Sequence, residues 1–106
     1  MPAAFTCDLT AIAPAEREAH QELIRRLVSE TIGDSMELPD GLALRFPADA
    51  YDAVVRFVAG ERLCCPFLTV TLEISPARGA VWLRLTGPAG IKQFLRAELH
   101  LPTARE

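Results

Sequence analysis

Glu61-Arg62-Leu63-Cys64-Cys65-Pro66-Phe67-Leu68 is the stretch from which the rest of the chain can be laid out, because a helix must end inside it and a strand must start just after it. Proline has no amide hydrogen to give a helix interior and its ring clashes with the preceding turn, so Pro66 stops a helix arriving from the N-terminal side. Beyond it, Leu68, Val70, Leu72 and Ile74 alternate with Thr69, Thr71 and Glu73, the two-residue period of a strand with one buried face. Before it the period changes. Val54, Phe57, Val58 and Glu61 recur at three- and four-residue spacing and lead into Cys64 and Cys65, so a helix over about 50–63 carries its apolar stripe into the cysteine pair. Tyr51 and Val55 are assigned to the same core-facing set. Glu61 therefore falls on a buried face near the negative end of the helix dipole, an uncomfortable place for a carboxylate, while Arg62 beside it faces the surface. Such a residue needs a partner, and positions of this kind are enriched in functional sites.

Working back toward the N-terminus, Pro47 and Asp49 read as a stop followed by a helix cap. Leu42, Leu44 and Phe46 form the return strand of a hairpin whose first strand lies around residues 36–38. Pro39-Asp40-Gly41 is its turn, with glycine accepting a positive φ. A helix from Pro14 to about Ser29 has Glu16 and Glu18 in its first turns and an apolar stripe of Ala19, Leu23, Ile24, Leu27 and Val28. His20 sits on the edge of that stripe and reaches toward the core. Phe5 to Thr10 alternate, which predicts a first strand with Phe5, Cys7 and Leu9 facing inward. Toward the C-terminus, Val81, Leu83 and Leu85 pair with the strand after Pro66 through a loop over 75–79 and leave Trp82 on the outer face. Gly87 to Gly90 then lead into a last helix with Ile91, Phe94, Leu95 and Leu99 inward, ending near His100, Leu101 and Pro102. The order β-α-β-β-α-β-β-α predicts an α+β two-layer sandwich, a mainly antiparallel sheet with helices on one face, as a single domain over 1–106.

Composition narrows the function classes. Half the residues are hydrophobic, enough for one contiguous core, and the formal charge of −3 is spread without a basic run that could follow a phosphate backbone. Nucleic acid is not an expected partner. No apolar run approaches the ~20 residues of a membrane span, and Met1-Pro2-Ala3-Ala4 has neither a basic nor an apolar leader segment, so a soluble cytoplasmic protein is expected. A glycine-rich phosphate loop, a zinc-protease histidine spacing and a nucleophile elbow are all missing, which disfavours a conventional hydrolase or nucleotide enzyme.

The chain has three cysteines, an odd number that argues against a disulfide framework and for metal-binding, redox or structural thiols. Cys7, Cys64 and Cys65 are all predicted to face the same core, where three thiolates would hold one soft ion. His20, His100 or Glu61 would complete a tetrahedral set suited to zinc. Adjacent cysteines are unusual zinc ligands, and the spacing leans toward another thiophilic ion such as mercury or arsenite. A redox reading uses the same atoms: a bridge from Cys7 to Cys64 or Cys65 forms if the first strand passes beside the corner, and a direct Cys64–Cys65 bond forms only transiently because of its strained ring. A third reading makes the cysteines inert core residues of an interaction module, with Trp82 offering a surface for a second copy of the chain.

Cys7-Asp8-Leu9-Thr10, residues 38–46, the Glu61 to Leu68 stretch and residues 82–88 together resemble a group of small uncharacterised bacterial proteins that carry a Glu-Arg-x-Cys-Cys-Pro-Phe motif. Segments similar to these accompany heavy-metal-responsive regulators. The resemblance implies a thiol site of Cys7, Cys64 and Cys65 with Glu61 nearby and a link to metal stress. The leading expectation is a cytoplasmic protein that captures a soft metal or metalloid ion, zinc or another thiophilic ion, with His20 as a further ligand and no required catalytic residue. The alternatives are a thiol redox protein or small enzyme with a nucleophilic and a resolving cysteine, and a homodimeric structural module.

Overall fold

The structure, a computed structural model, describes residues 8–31 and 34–99. Helix α1 (Pro14–Arg26) runs into a π-helical turn (Leu27–Thr31), and strands β1 (Asp34–Leu38) and β2 (Gly41–Phe46) form a hairpin. Helix α2 (Tyr51–Cys64) follows, then β3 (Thr69–Ile74), β4 (Val81–Thr86) and α3 (Ile91–Glu98). The sheet is antiparallel throughout, in the order β1-β2-β4-β3. This is the expected α+β arrangement. No helix among the described residues is long and apolar enough to cross a membrane.

Register decides which face is core. Leu44 lies opposite Leu83, which lies opposite Leu72, and Leu42 and Phe46 share that face with Leu85 and Val81. Against it pack Leu23, Ile24 and Leu27 from the first helical segment, Val54 and Phe57 from α2, and Ile91, Leu95 and Leu99 from the C-terminal segment. Among the described residues, the other face carries charged pairs. It holds the Arg45–Asp34 and Arg84–Glu73 ion pairs, at 2.9 and 2.8 Å, with half-buried Trp82 between Arg45 and Glu73 in register. Arg96 on α3 reaches Glu37 on β1 at 3.0 Å and ties the last helix to the edge strand.

Four local expectations are corrected. The first strand does not extend through Thr10: Leu9–Ala11 is a 3₁₀ turn, while residues 1–7, including Phe5 and Cys7, lie outside the described residues. The Asp8 side chain accepts from the Thr10 amide, and Arg17 donates to the carbonyls of Leu9 and Ile12, so side chains supply the partners that a ladder would have supplied. Gly41 does not close the hairpin through a positive φ. It is the first residue of β2, and a Cβ there would collide with the Leu85 carbonyl of the neighbouring strand. Asp49 sits inside a 3₁₀ turn (Ala48–Ala50) and makes no cap bond for α2. Tyr51 and Val55 point away from the core, 46 % and 38 % exposed, because Val54 and Phe57, with partly buried Ala53 and Val58 beside them, form the stripe that meets the core. In the β3–β4 loop, Ala77 and Arg78 both take φ of 57°, a left-handed pair that closes the turn with the Gly79 amide bonded to Pro76 O at 3.0 Å.

Candidate metal centre

The end of α2 is where its stripe leaves the sheet and meets α1. Glu61 and Cys64, one turn apart, are 2 % and 1 % exposed, and Cys65, which caps the helix, is 1 % exposed. The amide of Cys65 still donates to Glu61 O at 2.7 Å, and Leu68 N to Cys65 O at 3.2 Å, so the chain turns the corner past Pro66 with its backbone bonded on both sides. Ile12, Cys64 and Cys65 form a small apolar cluster of their own, closed by Leu9, Phe67, Leu68 and Phe94, with the Phe67 and Phe94 rings edge to face at 5.2 Å.

Into this cluster α1 inserts His20, 6 % exposed. Its Nε2 lies 3.0 Å from Glu61 Oε2, which supplies the partner that the buried carboxylate requires. The Cys64 thiol donates to the same oxygen at 3.9 Å. The imidazole stacks at 6.1 Å on the Phe57 ring, and its other side faces Gly60, where any Cβ would collide with Nδ1 and Cε1. His20 also lines a surface pocket of about 320 Å³ with Glu16, Arg56, Gly60 and Leu63, and so stands between solvent and the sealed carboxylate.

One nitrogen, one carboxylate oxygen and one sulfur from His20, Glu61 and Cys64 lie within 4.8 Å of one another. Ligands about 2.0–2.3 Å from a tetrahedral zinc sit roughly 3.4–3.7 Å apart, so the two contacts to Glu61, at 3.0 and 3.9 Å, are near ligand spacing. The Cys64 thiol is held protonated. Burial is the main cause and the Glu61 carboxylate the next, followed by Glu98, and together they push its pKa from 9.0 up to about 12.

The sulfurs are in different states. Cys64 is a free thiol, whereas Cys65, its Sγ 3.6 Å away, is disulfide-bonded. Of the residues nominated by sequence, Glu61, His20, Cys64 and Cys65 are brought together. Cys7 and His100 lie outside the described residues. Asp8, next in sequence to Cys7, is described, and its amide donates to Cys64 O at 2.8 Å. The backbone at Asp8 therefore lies beside the corner. Sequence reasoning missed Gly60 and Phe57 as the walls that seat His20. A glycine in the middle of a strong helical stripe was the available signal, since such a glycine usually has a packing reason. No protein-family model, curated protein or solved structure matches the chain.

Proposed function

We propose that the protein binds a thiophilic metal or metalloid ion, in the service of metal stress, with His20, Glu61 and Cys64 as its first ligands. The observation that carries the reading is the convergence of three ligand atoms of different chemistry, from two helices, within 4.8 Å in a buried site. A mixed nitrogen, oxygen and sulfur set suits zinc, and further sulfur would shift it toward softer ions. The pocket beside His20 gives an entry path. A bound cation reverses the electrostatics that hold the thiol protonated, because a coordinating thiol loses its proton to solvent.

The competing redox reading draws on the disulfide at Cys65 next to a free thiol. A thiol with a pKa of about 12 is ionised in only about one molecule in 10⁵ at pH 7, which makes Cys64 a poor nucleophile and leaves it a competent ligand once a cation arrives. Titration of the full chain with Zn²⁺, and separately with Hg²⁺, tests the proposal. One equivalent is expected to bind, with loss of binding in Cys64→Ser and about tenfold to 100-fold weakening in His20→Ala. Absence of stoichiometric binding of both ions would overturn it. Fast alkylation of native Cys64 near neutral pH would favour redox chemistry instead.

A further inference from the structure

The sheet ends differently at its two edges. On the face that meets the helices, β1 presents Ser35 and Glu37 opposite Leu44 and Leu42, and Arg96 and Lys92 of α3 reach Glu37 at 3.0 and 3.9 Å. Polar side chains close the layer there. At the other edge the same face of β3 presents Val70, Leu72 and Ile74, opposite Leu85, Leu83 and Val81. The three β4 residues are at most 1 % exposed, whereas Val70 and Leu72 are only half-buried and Ile74 is 50 % exposed. The apolar layer is therefore unfinished at β3. We propose that β3 pairs antiparallel with β3 of a second copy of the chain across a two-fold axis, which joins two four-stranded sheets into one of eight strands and completes this layer. The proposal goes beyond ion binding and does not depend on it.

Among the described residues β3 pairs with β4 alone, so one side of its backbone offers donors and acceptors to a further strand. Edge strands are ordinarily guarded by lysine, proline, a bulge or an inward-pointing charge. Thr69-Val70-Thr71-Leu72-Glu73-Ile74 has none of these: its ladder with β4 runs unbroken from Thr69 to Ile74, and its one charge, Glu73, faces away from the helices and is paired with Arg84 at 2.8 Å. Thr69, Val70, Thr71 and Ile74 are β-branched, the type that packs best on a pleated surface. The β1 edge instead carries Asp34 and Glu37. A β3-to-β1 contact between copies would run head to tail and leave a free edge at each end, whereas β3 paired with itself closes with two chains.

Charge selects the register. Residues opposite each other in an antiparallel pair share a face, so a symmetric β3 pair centres on a single residue, Thr71 or Leu72. Centring on Leu72 brings the two Glu73 residues to within two positions along the strands, about 7 Å. Centring on Thr71 separates them by four positions, about 14 Å, beyond the screening length of ~8 Å at physiological salt. The second register also sets Val70 against the partner's Leu72 and Ile74 against the partner's Leu68, so the most exposed residue of the row gains an apolar neighbour. The two Thr71 side chains then meet on the axis, on the face away from the helices.

The test is sedimentation equilibrium of the full chain, in reductant so that no intermolecular disulfide contributes, at concentrations up to about 100 μM, where a micromolar dissociation constant is readily measured. The parent should sediment as a dimer. Thr71→Lys and Thr71→Glu each place like charges directly opposite one another and should raise the dissociation constant about fivefold or more. Mixed in equal amounts, these two variants should form a heterodimer at least as tight as the parent. Ile74→Lys should also weaken the dimer, and Met36→Lys, on the opposite edge strand, should leave it unchanged. Circular dichroism verifies the fold of each variant. A parent that stays monomeric at about 100 μM, or that forms a series of larger species, overturns the proposal. A dimer that withstands both Thr71→Lys and Ile74→Lys, or that dissociates in Met36→Lys, overturns it too, because the contact then lies elsewhere. Failure of the Thr71→Lys and Thr71→Glu chains to pair when mixed overturns the Thr71-centred register and the edge pairing with it.

Discussion

Helix α2 presents one continuous stripe to two unlike interiors. Through its first turns Val54 and Phe57 enter a cluster whose buried members, among the described residues, are all Leu, Ile, Val, Phe or Ala. In its last turn the same stripe carries Glu61 and Cys64 into a much smaller cluster, where the two buried polar or charged residues of the described chain, His20 and Glu61, face each other. The first interior is what burial of apolar surface alone would produce. The second is not. Replacing a buried ion pair with well-packed apolar side chains is often neutral or stabilising, so fold stability alone does not account for an imidazole and a carboxylate at this corner.

That contrast can be broken at either end. Leu83→Ala, at a fully buried position on the central strand, should cost about 2–5 kcal/mol in urea denaturation and leave the Zn²⁺ affinity of the folded protein unchanged. A parallel loss of affinity would show that the two interiors behave as one. Glu61→Leu alone strands the buried His20 ring without its partner and should cost about 1–3 kcal/mol. The double variant His20→Phe, Glu61→Leu should return to within about 1 kcal/mol of the parent or exceed it, with ion binding abolished. A double variant as unstable as the single one would mean that the pair is structural.

A smaller effect should appear in alkali. Burial first, and Glu61 and Glu98 after it, raise the Cys64 pKa from 9.0 to about 12, so the folded state keeps a proton that the unfolded chain releases. The resulting stability is fully present below the unfolded pKa and is lost as pH rises from about 9 toward 12. Between pH 8.5 and 9.5 the loss should be less than about 1 kcal/mol, read as the difference between the parent and Cys64→Ala in urea melts at each pH. Indistinguishable pH profiles would show that the thiol titrates alike in both states.

The two interiors were not equally legible in the sequence. Periodicity alone located Val54, Phe57, Glu61, Cys64 and Cys65 on one stripe and His20 at the edge of another, because helical spacing is a local property. It could not show that His20 meets Glu61, a contact between residues 41 apart. Nor could alternation at Leu9 and Thr10 reveal a 3₁₀ turn, since what decides it is Arg17 on the following helix gathering the carbonyls of Leu9 and Ile12. The outward turn of Tyr51 and Val55 likewise depends on where the sheet lies against α2.

Gly60 imposes an order of descent on this corner. Glycine in a helix interior forgoes about 1 kcal/mol relative to alanine, and here any side chain would strike the imidazole seated against it. A lineage acquiring the site must therefore have glycine at 60 before histidine at 20 can be admitted, and a chain that loses the histidine is free to regain a better helix former. The two positions should vary together among descendants of this chain, with Gly60 outlasting His20 and not the reverse.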